Sequence, residues 1–256
     1  MPELAQRIVE AEVAPNSVAI FWLGQAGFVY KTPAGVIAYV DPYLSECVQR
    51  LHGFKRIMPA PIQPNEVEAD WVVSTHSHED HLDVDAIPVM ALNQRVHFVG
   101  APDCRRQYEA LGLSLERFSI LRVGQELAVG DLRLKAVPAD HGELAPEAIG
   151  VILQVGDIRI WQVGDSAYRP DRWLDIYRAG VDILVPPING AFGNLGPLEA
   201  AKLAQDVGAK VVIPCHFWMF AEHNGDPAAF LAACKLCAPQ ASAVLLSVGE
   251  LFVYNG

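Results

Sequence analysis

Apolar, β-branched and aromatic residues run in short stretches broken by glycine, proline and acidic clusters. Residues 17–23, 28–32 and 36–40 form three such runs, separated by Gly24-Gln25-Ala26-Gly27 and Pro33-Ala34-Gly35. This punctuation predicts three strands joined by tight turns. Residues 52–69 are Pro-rich and irregular; they are expected to loop over the surface and lead into a short buried strand at 70–74. Helical patterns over 84–92 and 103–111 flank a strand at 96–99. A second strand-rich block follows at 117–121, 126–129, 132–137, 149–155 and 158–163, the last two joined by the hairpin signal Gly156-Asp157. Helical patterns at 171–179, 197–207 and 227–237 then alternate with strands at 183–185, 211–213 and 244–248. Residues 1–15, with Glu3, Arg7, Glu10 and Glu12, read as an amphipathic surface helix.

A block of strands followed by mixed strand and helix occurs twice. That order predicts an α/β (α+β) fold, two sheets packed together with helices outside. Composition adds scale: 256 residues, 52% hydrophobic and 19% charged, supply one large core, read as a single domain over 1–256. A net charge of -11 argues against a nucleic-acid partner, which needs a basic stripe to displace counterions. No apolar run reaches the roughly 18 residues of a membrane span, and no signal-peptide pattern opens the chain. Five cysteines, an odd number, then read as reduced thiols in a cytoplasmic protein. Cys234 and Cys237 form a lone CxxC in an Ala-rich helical pattern, expected to pack rather than bind metal.

Candidate chemistry concentrates directly after the strand at 70–74, in Thr75-His76-Ser77-His78-Glu79-Asp80-His81. Residues two apart at a strand end point the same way, so His76 and His78 can grip one ion together. Asp80 and His81 follow on a turn and can face a neighbouring ion. Imidazoles and a carboxylate suit zinc, and also manganese or iron. His141, Asp165 and His216 each follow a predicted strand. Alone, each also reads as an ordinary turn or cap residue; together they complete a two-metal site.

The ordered set THxHxDH (75–81), His141, Gly164-Asp165-Ser166 and Pro214-Cys215-His216 resembles the metallo-β-lactamase superfamily, over nearly the whole chain. Asp41, in Val40-Asp41-Pro42-Tyr43, matches the early aspartate that braces the metal loop in such folds. Residues 22–28, 41–45, 164–168 and 214–227 are similar to the L-ascorbate-6-phosphate lactonase-like branch. The resemblance implies an αββα four-layer sandwich and a dinuclear metal-dependent hydrolase. His76, His78 and His141 would hold the first ion; Asp80, His81 and His216 the second; Asp165 would bridge them. The cofactors implied are two divalent ions, zinc by default and manganese as the alternative. A histidine at position 78 favours hydrolysis over redox chemistry. The branch is compatible with a homo-oligomer.

Two ions about 3.5–4 Å apart lower the pKa of a shared water, which then attacks a carbonyl or phosphoryl centre. Asp80 is the candidate catalytic proton acceptor. The expected partner is a small-molecule substrate, a lactone or ester of a sugar-derived and phosphorylated or unphosphorylated compound. A small-molecule phosphodiesterase and a non-catalytic metal-binding protein are the alternatives. His223 and Tyr168 are candidate substrate contacts. Tyr43 reads equally as packing, and His52 and His97 as structural.

Overall fold

The computed structural model describes residues 3–256. Strands β1 (Ser17–Gly24), β2 (Gly27–Lys31), β3 (Ile37–Val40), β4 (Trp71–Ser74), β5 (His97–Gly100) and β6 (Phe118–Ile120) build most of the first sheet. The second holds β7 (Glu126–Val129), β8 (Leu132–Pro138), β9 (Ile149–Val155), β10 (Ile158–Gln162), β11 (Ile183–Val185), β12 (Val211–Val212) and β13 (Ser242–Ala243). The chain then returns to the first sheet as β14 (Leu251–Asn255), antiparallel to β1 with Ser17 opposite Asn255. Helices α1 (Leu4–Glu10), α2 (Cys47–His52), α3 (Ala86–Met90), α4 (Cys104–Ala110), α5 (Leu174–Ala179), α6 (Pro197–Asp206) and α7 (Pro227–Cys237) flank the sheets. The expected architecture of two sheets with helices outside is therefore the one observed.

The sheets repeat one plan. Their orders are β14-β1-β2-β3-β4-β5-β6 and β7-β8-β9-β10-β11-β12-β13. In each, three antiparallel pairings give way to three parallel ones, with the change at β3 in the first and β10 in the second. Strands β1 to β4 are buried along their whole length, as near-continuous apolar runs covered on both faces should be. A polar tie crosses the interior: the Tyr30 hydroxyl of β2 donates to Gln162 Oε1 of β10 (2.9 Å), and Gln162 Nε2 donates to the Ala26 carbonyl (2.7 Å). Each buried polar group finds a partner, so the tie fixes how the sheets face each other without an unpaired dipole.

Two sequence expectations need correction. Residues 244–248 form no strand; they cross from the second sheet to the first, leaving after Val244 N donates to Val212 O and arriving where Gly249 N donates to Trp22 O. Residues 52–69 are irregular as expected, but they do not simply cover the surface. Arg56 is buried, donates to the Ser45 and Met58 carbonyls and stacks on the Tyr43 ring, while Ile62 and Val67 enter the core. Cys234 is buried on α7 and Cys237 half-buried beside it, both as free thiols. Among the described residues no helix is long and apolar enough to cross a membrane.

Candidate metal centre

The sheet plan dictates where chemistry collects. Asp41 follows β3 and Asp165 follows β10, the equivalent strands at which antiparallel pairing turns parallel; ligand sites of open sheets form at such carboxyl ends. Thr75 to His81 leave β4, His141 follows β8, and His216 follows β12. Seven side chains expected from sequence thus converge from strand ends of both sheets.

Asp41 organises the first loop. Its φ is +50°, and its carboxylate accepts from Thr75 N and Thr75 Oγ1, both at 2.7 Å, while lying 2.8 Å from His81 Nδ1. Past Ser77 the chain curls back, with His81 N and Leu82 N both donating to His78 O. That turn swings Asp80 and His81 beside the histidines that precede them.

The ligand-capable atoms fall into overlapping sets. Those of His76, His78 and His141 lie within 4.8 Å of one another, as do those of His76, His81 and Asp165, and those of Asp80, His216 and His223. His76 Nε2 is 2.9 Å from His78 Nδ1. Asp165 reaches both sides: Oδ2 is 3.7 Å from His141 Nε2 and 3.3 Å from His216 Nε2, and Oδ1 is 3.3 Å from His81 Nε2. Asp80 Oδ2 is 3.4 Å from His216 Nε2 and 3.6 Å from His81 Nε2.

Charge explains why these groups tolerate burial. Burial works against ionisation of Asp80 and Asp165, yet the neighbouring histidines hold both well below the usual carboxylate range. Burial likewise opposes a charged His216, but Asp165 and Asp80 lift it to about 9, and Asp165, Asp80 and Asp41 raise His81. His76 is pushed far down, first by burial and then by His81; burial also lowers His141. His223, buried and stacked on His216 (ring centroids 4.8 Å apart), falls to about 4. The carboxylates therefore demand positive charge from their surroundings. His81 Nε2 is buried without a hydrogen-bond partner while facing both of them. Imidazole nitrogens and carboxylate oxygens around an orphaned nitrogen fit a divalent cation, which supplies that charge without protonating the ligands.

Two further residues support the cluster. Gln25, after β1 with φ +49°, donates its amide to Asp80 Oδ2 at 2.7 Å; the same nitrogen lies 3.1 Å from His216 Nε2 and 3.2 Å from His223 Nδ1. Asn194 donates to Asp165 Oδ2 at 2.7 Å. Sequence reading took Gln25 as part of a turn and passed over Asn194. The available signal was an amide inserted in a glycine turn at the end of a buried strand.

Above the cluster lies a cleft of about 190 Å³, lined by Val48, Phe54, Leu144, Phe192, Phe220 and His223 and floored by the metal-ligand candidates. His223 lies in this cleft as expected. Tyr168 does not line it: its hydroxyl pairs with Asp206 of α6, and its ring packs on Trp173. Tyr43 packs on Phe220 behind the cleft wall. His52, read as structural, lines the cleft 2.9 Å from Glu79, while His97 sits away from it and meets Ser119 Oγ at 2.9 Å.

Residues 19–216 match the profile of the beta-lactamase superfamily domain. A UPF0173 metal-dependent hydrolase of Aeropyrum pernix is 30% identical, over 91% of this chain and 96% of the relative. Another, of Archaeoglobus fulgidus, is 28% identical over 92% and 99% of the two chains. Among solved structures, Igni18, a metallo hydrolase of Ignicoccus hospitalis, superposes with a TM-score of 0.71 at 20% identity, covering 93% of this chain and 98% of its own.

Proposed function

This chain belongs to the beta-lactamase superfamily, and from that premise we propose that it is a metal-dependent hydrolase of a small lactone or ester. Two divalent ions, zinc by preference and manganese as the alternative, would be held by His76, His78 and His141 and by Asp80, His81 and His216, with Asp165 available to both. The observation that carries the reading is the buried, partnerless His81 Nε2 facing Asp80 and Asp165. The names of the Archaeoglobus and Aeropyrum relatives, metal-dependent hydrolases, support it. Similarity of residues 22–28, 41–45, 164–168 and 214–227 to the lactonase-like branch supports a cyclic ester.

Bound divalent ions supply a Lewis acid that polarises a carbonyl oxygen and acidifies a water. The chain's own residues arrange the rest. Asp80 is pinned through Oδ2 by Gln25, which leaves Oδ1 to take the proton of the attacking water. The Gln25 amide has two hydrogens; donated to Asp80 and to His223 Nδ1, they leave the imidazole proton on His223 Nε2. That N–H is a donor for the oxygen on which charge develops. Phe54, Phe192 and Phe220 keep the surroundings dry, which strengthens each of these contacts.

The test is hydrolysis of sugar and aryl lactones and of bis(p-nitrophenyl) phosphate by zinc- and manganese-loaded protein, with Asp165→Ala as the blank. Lactone turnover well above the blank, with metal lost from the variant, supports the reading. Diester turnover alone makes the protein a phosphodiesterase, and full metal content in Asp165→Ala removes the ligand assignment.

A further inference from the structure

The outer cleft is built of aromatic rings. Phe54 lies 6.3 Å from both Phe192 and Phe220, centroid to centroid, and Phe192 and Phe220 approach the His223 ring at 5.1 and 4.9 Å. Val48 and Leu144 extend the apolar wall. Phe192 is 46% exposed at the mouth and has φ +54°. A bulky side chain rarely adopts that conformation, and its cost is maintained where the surroundings require the residue. The loop accommodates it between Gly190 and Gly193, themselves at φ +60° and +82°. The same short loop carries Asn194, which steadies Asp165. One loop therefore sets both a metal-side carboxylate and the outer wall.

Among the described residues the lining contains no lysine or arginine. Outside the metal-facing groups its only acid is Glu79, which is already paired with His52. A phosphate or carboxylate on the distal part of a substrate would find no lysine or arginine there, only His52, which is already engaged with Glu79, so its desolvation would be poorly compensated. Polyhydroxylated arms fare little better, since three phenyl rings offer no hydrogen bonds and the polar His52 and Glu79 are paired with each other. A cavity of roughly 150 Å³ with apolar walls accepts a benzene ring, so this cleft of about 190 Å³ has room for one ring and the bond to be cut.

The geometry points to an arm-binding subsite, walled by Phe54, Phe192 and Phe220, that takes an uncharged aryl or compact alkyl group of the substrate and disfavours phosphorylated sugars. The inference rests on the hydrolase reading for the orientation of the scissile bond, and its test does not require turnover. Three 2-hydroxycarboxylates that share one head group and differ in the arm are the probes: 3-phenyllactate, gluconate and 6-phosphogluconate. Their affinities for metal-loaded protein are measured by calorimetry, in the native chain and in Phe192→Ala and Phe54→Ala.

The expected result is 3-phenyllactate bound at least about tenfold tighter than either sugar acid, with that preference collapsing in Phe192→Ala and gluconate affinity unchanged. Phe192 is exposed on a loop, so this variant keeps the core intact. Equal or reversed ranking, absence of 3-phenyllactate binding, or a preference that survives both substitutions overturns the subsite. Dihydrocoumarin turnover is measured in parallel. Aryl selectivity that depends on the phenylalanines without any turnover supports the subsite and sinks only the lactone reading.

Discussion

Asp41 Oδ2 lies 2.8 Å from His81 Nδ1, with both side chains wholly buried. The same carboxylate accepts two hydrogen bonds from Thr75. Asp41 thus fixes which nitrogen of His81 faces Asp80 and Asp165, and at the same time clamps the start of the histidine loop to the end of β3. Outer partners of this kind typically contribute 10–100-fold in metal affinity. Asp41→Ala is expected to weaken zinc binding by about that factor in a chelator competition. It should also lower the urea midpoint, because Thr75 N and Oγ1 lose their buried acceptor, at about 2–4 kcal/mol. Unchanged zinc affinity would detach Asp41 from the metal centre.

Gly164 precedes Asp165 and has φ +72°, and a Cβ built there would lie 2.7 Å from the Ile149 carbonyl oxygen. Both a left-handed backbone and a collision with rigid main chain oppose any side chain. Gly164→Ala should destabilise the fold by about 2–4 kcal/mol in urea unfolding. Gly112 shares the left-handed conformation (φ +78°) but has nothing within 4 Å of such a Cβ, so Gly112→Ala should cost only about 1–2 kcal/mol. Equal losses would show that the contact with Ile149 is relieved by backbone shifts.

How much was legible follows from where information is local. The histidine loop announces itself because its candidate ligands are adjacent in sequence, and His141, Asp165 and His216 because each follows a strand with a clear inward-facing apolar pattern. The C-terminal β14 escaped because it is an edge strand whose inward signal is weak: Tyr254 is its only buried residue. Its partner β1 is also more than two hundred residues away, so nothing nearby specifies the pairing. The expected strand at 244–248 is the same failure seen from the other side, an apolar run spent on crossing between sheets. Gln25 and Asn194 act through single amide hydrogen bonds from left-handed turns and glycine-rich loops, patterns that ordinary turns share. Tyr168 was misplaced because a tyrosine after a metal-site strand can point either way, and Asp206 on α6, set by tertiary packing, decides it.

His97 offers a pH dependence separate from the metal centre. It is half-buried on β5, and burial, reinforced by Arg117, lowers its pKa from 6.5. The unfolded chain therefore binds a proton at this site more readily than the native one. Its contribution to stability is complete above about pH 6.5 and is lost as pH falls through the lowered native value. Urea midpoints of the metal-free protein should decline below pH 6.5, with a shallower decline in His97→Gln. Identical slopes in the two proteins would assign that acid sensitivity to other groups.

Gln25 gives the sharpest test of how the site is wired. Its amide nitrogen sits 2.7 Å from Asp80 Oδ2, so Gln25→Glu replaces a donor by a second carboxylate at nearly the same place. Two buried carboxylates in contact repel each other even with His216 beside them, and the second adds negative charge to a site already short of positive charge. The metal-free Gln25→Glu protein should therefore unfold at lower temperature than Gln25→Ala, which merely removes the donor. Zinc should recover more stability in the Glu variant than in the native chain, because the ion offsets the added charge. Gln25→Ala should instead respond to zinc much as the native chain does, since no ligand candidate has been removed. If the metal-free Gln25→Glu protein matches the native midpoint, the introduced carboxyl takes up a proton and donates it to Asp80 in the amide's place. That outcome would remove charge repulsion from this contact and leave Asp80 with a donor in either protein. Thermal melts of the three proteins, with and without zinc, decide between these arrangements.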